Sequence, residues 1–344
     1  MPPATEAISA QAHPGQHRVP QGNPITPQRR GLSSLGAIGI PLLLGVLSLL
    51  TTTANGARFV FDFRAGMMPV TSDTDLWPWG WLITQPALLA SGWVFSLALL
   101  SILLLHEFGH YAACMRHGIR ATLPWLLPAP TLSGTAGAII RLRGRIPHRN
   151  ALMDIGVYGP ICGYVASLVV IVIGLALSRP LSPAAPPSMV HFGIEPLSMH
   201  LLHKLVSHWV PALPDFPHLL PHPVLLAGWI GLFITSLNLI PGGQLDGGHL
   251  LYALSPELHR QVTRFLPYLL LLMGLFCWLG WLLWGAFLLW PRMRHPKVPV
   301  EPELSRGRVL LAFVGLLILL LSFTPMPFHD SSLLALLHKD LLHQ

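Results

Sequence analysis

Residues 93–110 read Trp-Val-Phe-Ser-Leu-Ala-Leu-Leu-Ser-Ile-Leu-Leu-Leu-His-Glu-Phe-Gly-His: a hydrocarbon stretch ending in two histidines and a carboxylate. It closes a charge-free run that covers 76–105. A helix needs about 20 apolar residues to cross about 30 Å of hydrocarbon, and this run supplies them. Five more charge-free runs follow the same pattern, at 31–57, 155–178, 216–245, 265–291 and 309–329. The fold expected is an all-α polytopic membrane protein of about six transmembrane helices.

Composition agrees. Of the 344 residues, 52% are hydrophobic and only 10% charged, and mean hydropathy is +0.57. Soluble domains carry about 25% charged residues. A soluble two-domain enzyme and a disordered chain are both excluded. Cys114, Cys162 and Cys277 lie in or beside apolar segments, an odd and scattered set that forms no disulfide framework.

Residues 1–30, rich in Pro and Gln and without hydrophobic periodicity, read as a disordered N-terminal tail. The membrane-embedded domain spans 31–329, with its core at about 76–251, and 330–344 form a short C-terminal tail. Between the second and third spans, 122–140 is free of charge but holds Pro124, Pro128, Pro130, Gly134 and Gly137. Proline at that density defeats a continuous helix. Irregular backbone is tolerated at membrane depth only where protein or a wet cavity covers it. The segment is therefore expected to be a re-entrant extended loop.

Twenty-one Lys and Arg against 14 Asp and Glu leave a net charge of +7. The cations sit in short stretches between apolar runs, which points to positive-inside topology and not to nucleic acid. Arg29 and Arg30 place the N-terminus in the cytoplasm; Arg116, Arg120, Arg141, Arg143, Arg145 and Arg149, and later Arg260 and Arg264, agree. Arg292, Arg294, Lys297, Arg306 and Arg308 would lie outside if 265–291 crossed once, so either the rule fails there or that segment is re-entrant.

His106, Glu107 and His110 form an H-E-x-x-H motif. Residues four apart on a helix lie on one face, so both imidazoles can meet one Zn²⁺, with Glu107 beside them to take a proton from its water. Glu107 is the one glutamate between Glu6 and Glu195. A carboxylate next to a hydrocarbon span is costly and by default functional. Catalytic zinc generally uses three protein ligands plus water. Asp246 is a candidate third, since Pro241, Gly242 and Gly243 break the fourth run just before it. A charge past a helix end also has a purely interfacial reading.

These residues resemble the site-2 protease family of intramembrane zinc metalloproteases, whose signatures are H-E-x-x-H on one membrane helix and Asn…Pro…Asp-Gly on another. Here they stand as His106–His110 and as Asn238, Pro241, Asp246 and Gly247. The resemblance implies a protease domain with one zinc held by His106, His110 and Asp246, and Glu107 as catalytic base. It gives Asn238 a part in holding the substrate backbone or the oxyanion. Residues 134–140 and 149–163 look like the re-entrant loop and third core span of the bacterial and plastid branch, so Gly134 and Gly137 are candidate substrate-binding positions. The implied partners are transmembrane protein substrates in a lipid bilayer. The stretch 111–150 is too short for an inserted PDZ domain, and no nucleotide-sensing module is expected after the last span. A bacterial inner membrane is the expected location, with a thylakoid-type membrane as the alternative. Two rival readings are a catalytically silent scaffold for membrane partners and a polytopic transporter.

Overall fold

A computed structural model describes residues 34–69, 78–182 and 193–342. The N-terminal tail, Arg29, Arg30 and the first residues of two apolar runs lie outside the described residues. Helices dominate. Three are long and apolar enough to cross a membrane: α1 (Ser34–Arg64) from Gly39 on, α3 (Trp93–Arg116) with the 3-10 turn before it, and α4 (Arg149–Leu177). The short α2 (Trp79–Thr84) precedes α3. Further along come α5 (Leu197–Ser207), α6 (Pro223–Asn238), α7 (Asp246–Leu254), α8 (Pro256–Phe276), α9 (Gly280–Leu289), α10 (Arg306–Ser322) and α11 (Leu333–Leu342). The last of these gives the expected C-terminal tail a helix.

The architecture centres on α6, which is buried along almost its whole length, as a helix apolar on every side should be. Helix α4 packs between α3 and α6. Leu99, Leu103, Ile171, Leu175, Leu225 and Leu232 knit the three together.

Residues 122–140 form an antiparallel hairpin of β2 (Trp125–Pro128) and β3 (Thr135–Ile139), flanked by the small pair β1 (Arg120–Ala121) and β4 (Leu142–Arg143). Its tip lies against α1. Asn55 Nδ2 donates to the carbonyls of Thr131 and Leu132, and Thr51 Oγ1 donates to that of Gly134. Thr52, next in α1, bonds Ser96 near the start of α3. The hairpin thus begins near the C-terminal end of α3 and ends level with the helix's first turn.

The run at 265–291 is two helices instead of one. Helices α8 and α9 pack against each other, with Gly274 on Leu282 and Gly285 on Leu271. The chain turns at Cys277–Leu279 and comes back, so Arg292 and Arg294 end beside Gln244, whose Nε2 donates to both of their carbonyls at 2.6 and 2.8 Å. The misplaced arginines of the sequence reading return to the end of the bundle where Arg260 and Arg264 begin.

One ion cluster ties that end together. Asp154 on α4 accepts from Arg308 Nε at 2.9 Å and Nη2 at 2.6 Å, and pairs with His117 Nε2 at 2.7 Å. Removing one member of a buried, hydrogen-bonded pair strands the others. Asp154→Ala is expected to cost about 3 kcal/mol, read as a lower unfolding temperature in detergent.

Candidate metal centre

Helix α3 continues to Arg116, ten residues past His106, so the H-E-x-x-H motif sits within the helix and not at its end. At 1.5 Å per residue the site lies about 15 Å above the helix terminus. His106, Glu107 and His110 are 4, 5 and 7% exposed. The helix brings the two imidazoles together, with Nε2 of each 3.1 Å apart.

Asp246 completes the set from 136 positions beyond His110 (246 − 110). Helix α6 stops at Asn238. The turn through Pro241, Gly242 and Gly243 (φ +58) then sends the chain back into α7, with Asp246 as its first residue. Asp246 Oδ2 lies 3.2 Å from His106 Nε2 and 3.3 Å from His110 Nε2. A tetrahedral zinc with ligands at 2.0–2.1 Å separates them by about 3.3–3.4 Å. Two nitrogens and one carboxylate oxygen at 3.1–3.3 Å therefore fit the ion.

The protons are arranged for the same purpose. His110 Nδ1 lies 2.6 Å from the carbonyl oxygen of Ile155. A carbonyl only accepts, so Nδ1 carries the hydrogen and Nε2 keeps its lone pair for a metal. Asn238 at the end of α6 brings Nδ2 to 3.4 Å from His106 Nε2. The Glu107 carboxylate faces the backbone N–H of Ile140, just past β3.

A cavity of about 230 Å³ joins these groups. Its walls include His106, Glu107, His110, Asn238, Gln244 and Asp246 on one side and Ala138, Ile139 and Ile140 on the other. Asn238, Gln244 and Asp246 give it the polar lining that a water path to a buried site requires. Gly134 and Gly137 are not among its walls. Gly134 (φ +77) packs at the hairpin tip on the backbone of Thr51, and Gly137 (φ +105) lies within β3.

Two glycines of α4 matter more here than their sequence suggested. A Cβ on Gly159 would strike His110 Nε2, the donor atom itself, and one on Gly163 would come within 2.7 Å of His106 Nδ1. Their spacing of four marks one helix face, but nothing local says that an imidazole lies on it.

A helical membrane protein with H-E-x-x-H inside one helix and an aspartate converging from another defines a membrane-embedded zinc-site class. The chain belongs to Peptidase family M50, the site-2 protease family, whose model matches residues 94–280. It is 30% identical over 234 residues to a protein of Arabidopsis thaliana described as "Probable zinc metalloprotease EGY1, chloroplastic", covering 67% of this chain and 42% of the relative. The EGY1 protein of Oryza sativa subsp. japonica is 34% identical over 154 residues, covering 44% and 26%. The EGY2 protein of Oryza sativa subsp. indica is 28% identical over 254 residues, covering 72% and 45%. The chain spans less than half the length of these curated relatives.

Proposed function

We propose that this protein is an intramembrane zinc metalloendopeptidase that cleaves transmembrane segments of membrane proteins near the cytoplasmic side. The observation that carries the reading is the convergence of His106, His110 and Asp246 with Glu107 in one cavity within the helix bundle. In this reading the three converging side chains hold one zinc. Zinc supplies a Lewis acid that makes water nucleophilic at neutral pH. Glu107 takes a proton from the attacking water and returns it to the leaving amine nitrogen. Asn238 Nδ2 donates to the oxyanion as it develops; Asn238→Ala is expected to lower kcat about 10²–10³-fold with zinc content unchanged.

A substrate helix must unwind before its backbone reaches such a site. Strand β3 supports that step. Strand β2 pairs one of its edges, and its other edge carries no strand among the described residues. An extended peptide can add to such an edge. Ala138–Ile140, which line the cavity, are the positions where it would lie. Gly134 keeps the hairpin tip on α1, and Gly137 leaves the open side of β3 unobstructed.

The hairpin's depth along α3 supports a re-entrant loop. Crossings by α1, α3, α4, α6 and α10 are completed by the α8–α9 pair, which returns to the side it left. The arginines gathered at the site's end support a cytoplasmic position. A bacterial inner membrane and a thylakoid-type membrane both fit this topology, and the relatives' chloroplast names support the second.

The test is zinc per purified chain, wild type beside His106→Ala and Asp246→Ala. One zinc that disappears in both variants is expected. Zinc absent from the wild type, or unchanged in both variants, would favour the silent scaffold. Metal-independent flux in proteoliposomes would favour the transporter.

A further inference from the structure

The segment 292–305, between α9 and α10, runs across the site's end of the bundle and is fastened on both sides of Asp246. Before it, Gln244 Nε2 holds the carbonyls of Arg292 and Arg294. After it, His249 Nδ1 meets His295 Nε2 at 2.8 Å. One turn further, Tyr252 stacks on the His295 ring at 4.1 Å and 11° and accepts from Val298 N–H at 3.2 Å. The far end is held by Asn150, whose Oδ1 accepts from Ser305 N–H at 3.1 Å.

The protons in this chain are fixed. His295 Nδ1 faces the Pro296 carbonyl at 2.7 Å and must donate to it. Its Nε2 can then only accept, so His249 donates from Nδ1. His249 lies three residues after Asp246, on the same face of α7, and lines the metal cavity with it. That end has no side-chain N-cap and follows a turn with two adjacent glycines. Gly243 meets the segment too: a Cβ there would come within 2.9 Å of the Met293 carbonyl.

We propose that the 292–298 strap, through the His295–His249 hydrogen bond, is the positioning element that seats Asp246 as the third zinc ligand. The proposal rests on the metal centre described above. Side chains that orient first-sphere ligands typically change metal affinity 10–100-fold when removed. The strap places that function on a segment 49 positions from the ligand it serves (295 − 246).

The experiment is zinc competition against a chromogenic chelator, with the full chain in detergent. Wild type, His295→Leu, His295→Gln and His106→Ala are compared, and each zinc-free protein is also unfolded thermally. His295→Leu removes the acceptor and is expected to weaken zinc about 10–100-fold. His295→Gln restores an acceptor for His249 Nδ1–H and is expected to recover most of the loss. Zinc-free unfolding temperatures should match across the three chains that keep His106. Wild-type affinity in His295→Leu overturns the strap's role. So does an equal loss in both His295 variants with a matching fall in unfolding temperature, because that is a folding effect. Failure of the metal centre is separate: the wild type then binds no zinc, or His106→Ala binds as well as it does.

Discussion

Glu107→Gln is expected to lower peptide-bond cleavage about 10²–10⁴-fold while the chain keeps one zinc. The substitution preserves shape and removes only the group proposed to move the proton. Glu107 lies beside both histidines but is not one of the three side chains whose donor atoms converge. Metal content and activity should therefore separate in this variant, whereas they fall together in His106→Ala. The assay is cleavage of a reconstituted single-span substrate, with zinc measured on the same preparation. A variant with zinc and undiminished cleavage would remove Glu107 from the chemistry. A phenotype that survives the substitution would return the protein to the scaffold reading.

Gly159→Ala is expected to abolish stoichiometric zinc binding. Helix propensity alone favours alanine by about 1 kcal/mol in a helix interior. Packing opposes it. The added methyl overlaps His110 Nε2, and that ring is also held through Nδ1 by Ile155 of the same helix. The ring cannot turn away without giving up that hydrogen bond. Overpacking of this kind costs about 1–3 kcal/mol and displaces a donor whose useful range is a few tenths of an ångström. The comparison is Gly39→Ala on α1, where nothing lies within 4 Å of the added carbon. Chelator competition on both variants should show zinc lost in Gly159→Ala and wild-type affinity in Gly39→Ala. Zinc retained by Gly159→Ala would mean that α3 and α4 separate more easily than their packing implies.

The depth of the site bears on the proposed cleavage. With His106 about 15 Å from the end of α3 and the hairpin running alongside the helix bundle, the proposed function has a substrate meet the site below the bundle's end. Gln244, which lines the cavity, holds the strap through the carbonyls of Arg292 and Arg294.

The membrane class and half of the metal centre were legible in the chain itself, because both are local. A long charge-free run declares its preference for hydrocarbon whatever packs against it. The i, i+4 spacing of His106 and His110 puts two nitrogens on one face as soon as a helix forms. Residues 122–140 announced by their prolines that they would not be a helix, though not that they would pair as β2 and β3. Asp246 was a candidate from its place after Pro241, and a ligand by resemblance. Only the packing of α6 against α3 and of α7 against α4 brings its oxygen to 3.2 Å from His106. The run at 265–291 shows the limit most plainly. Hydropathy reports that a segment prefers lipid, not that it folds into two helices packed on each other. The turn at Cys277–Leu279 has no charged residue to signal it, and its Leu279 N–H is satisfied by the Ser331 carbonyl from a distant part of the chain. The faces of Gly159 and Gly163 and the reach of His295 to His249 belong to the same category. Each depends on which helix becomes its neighbour, and that is settled by how the whole bundle buries its backbone polar groups and fills its interior.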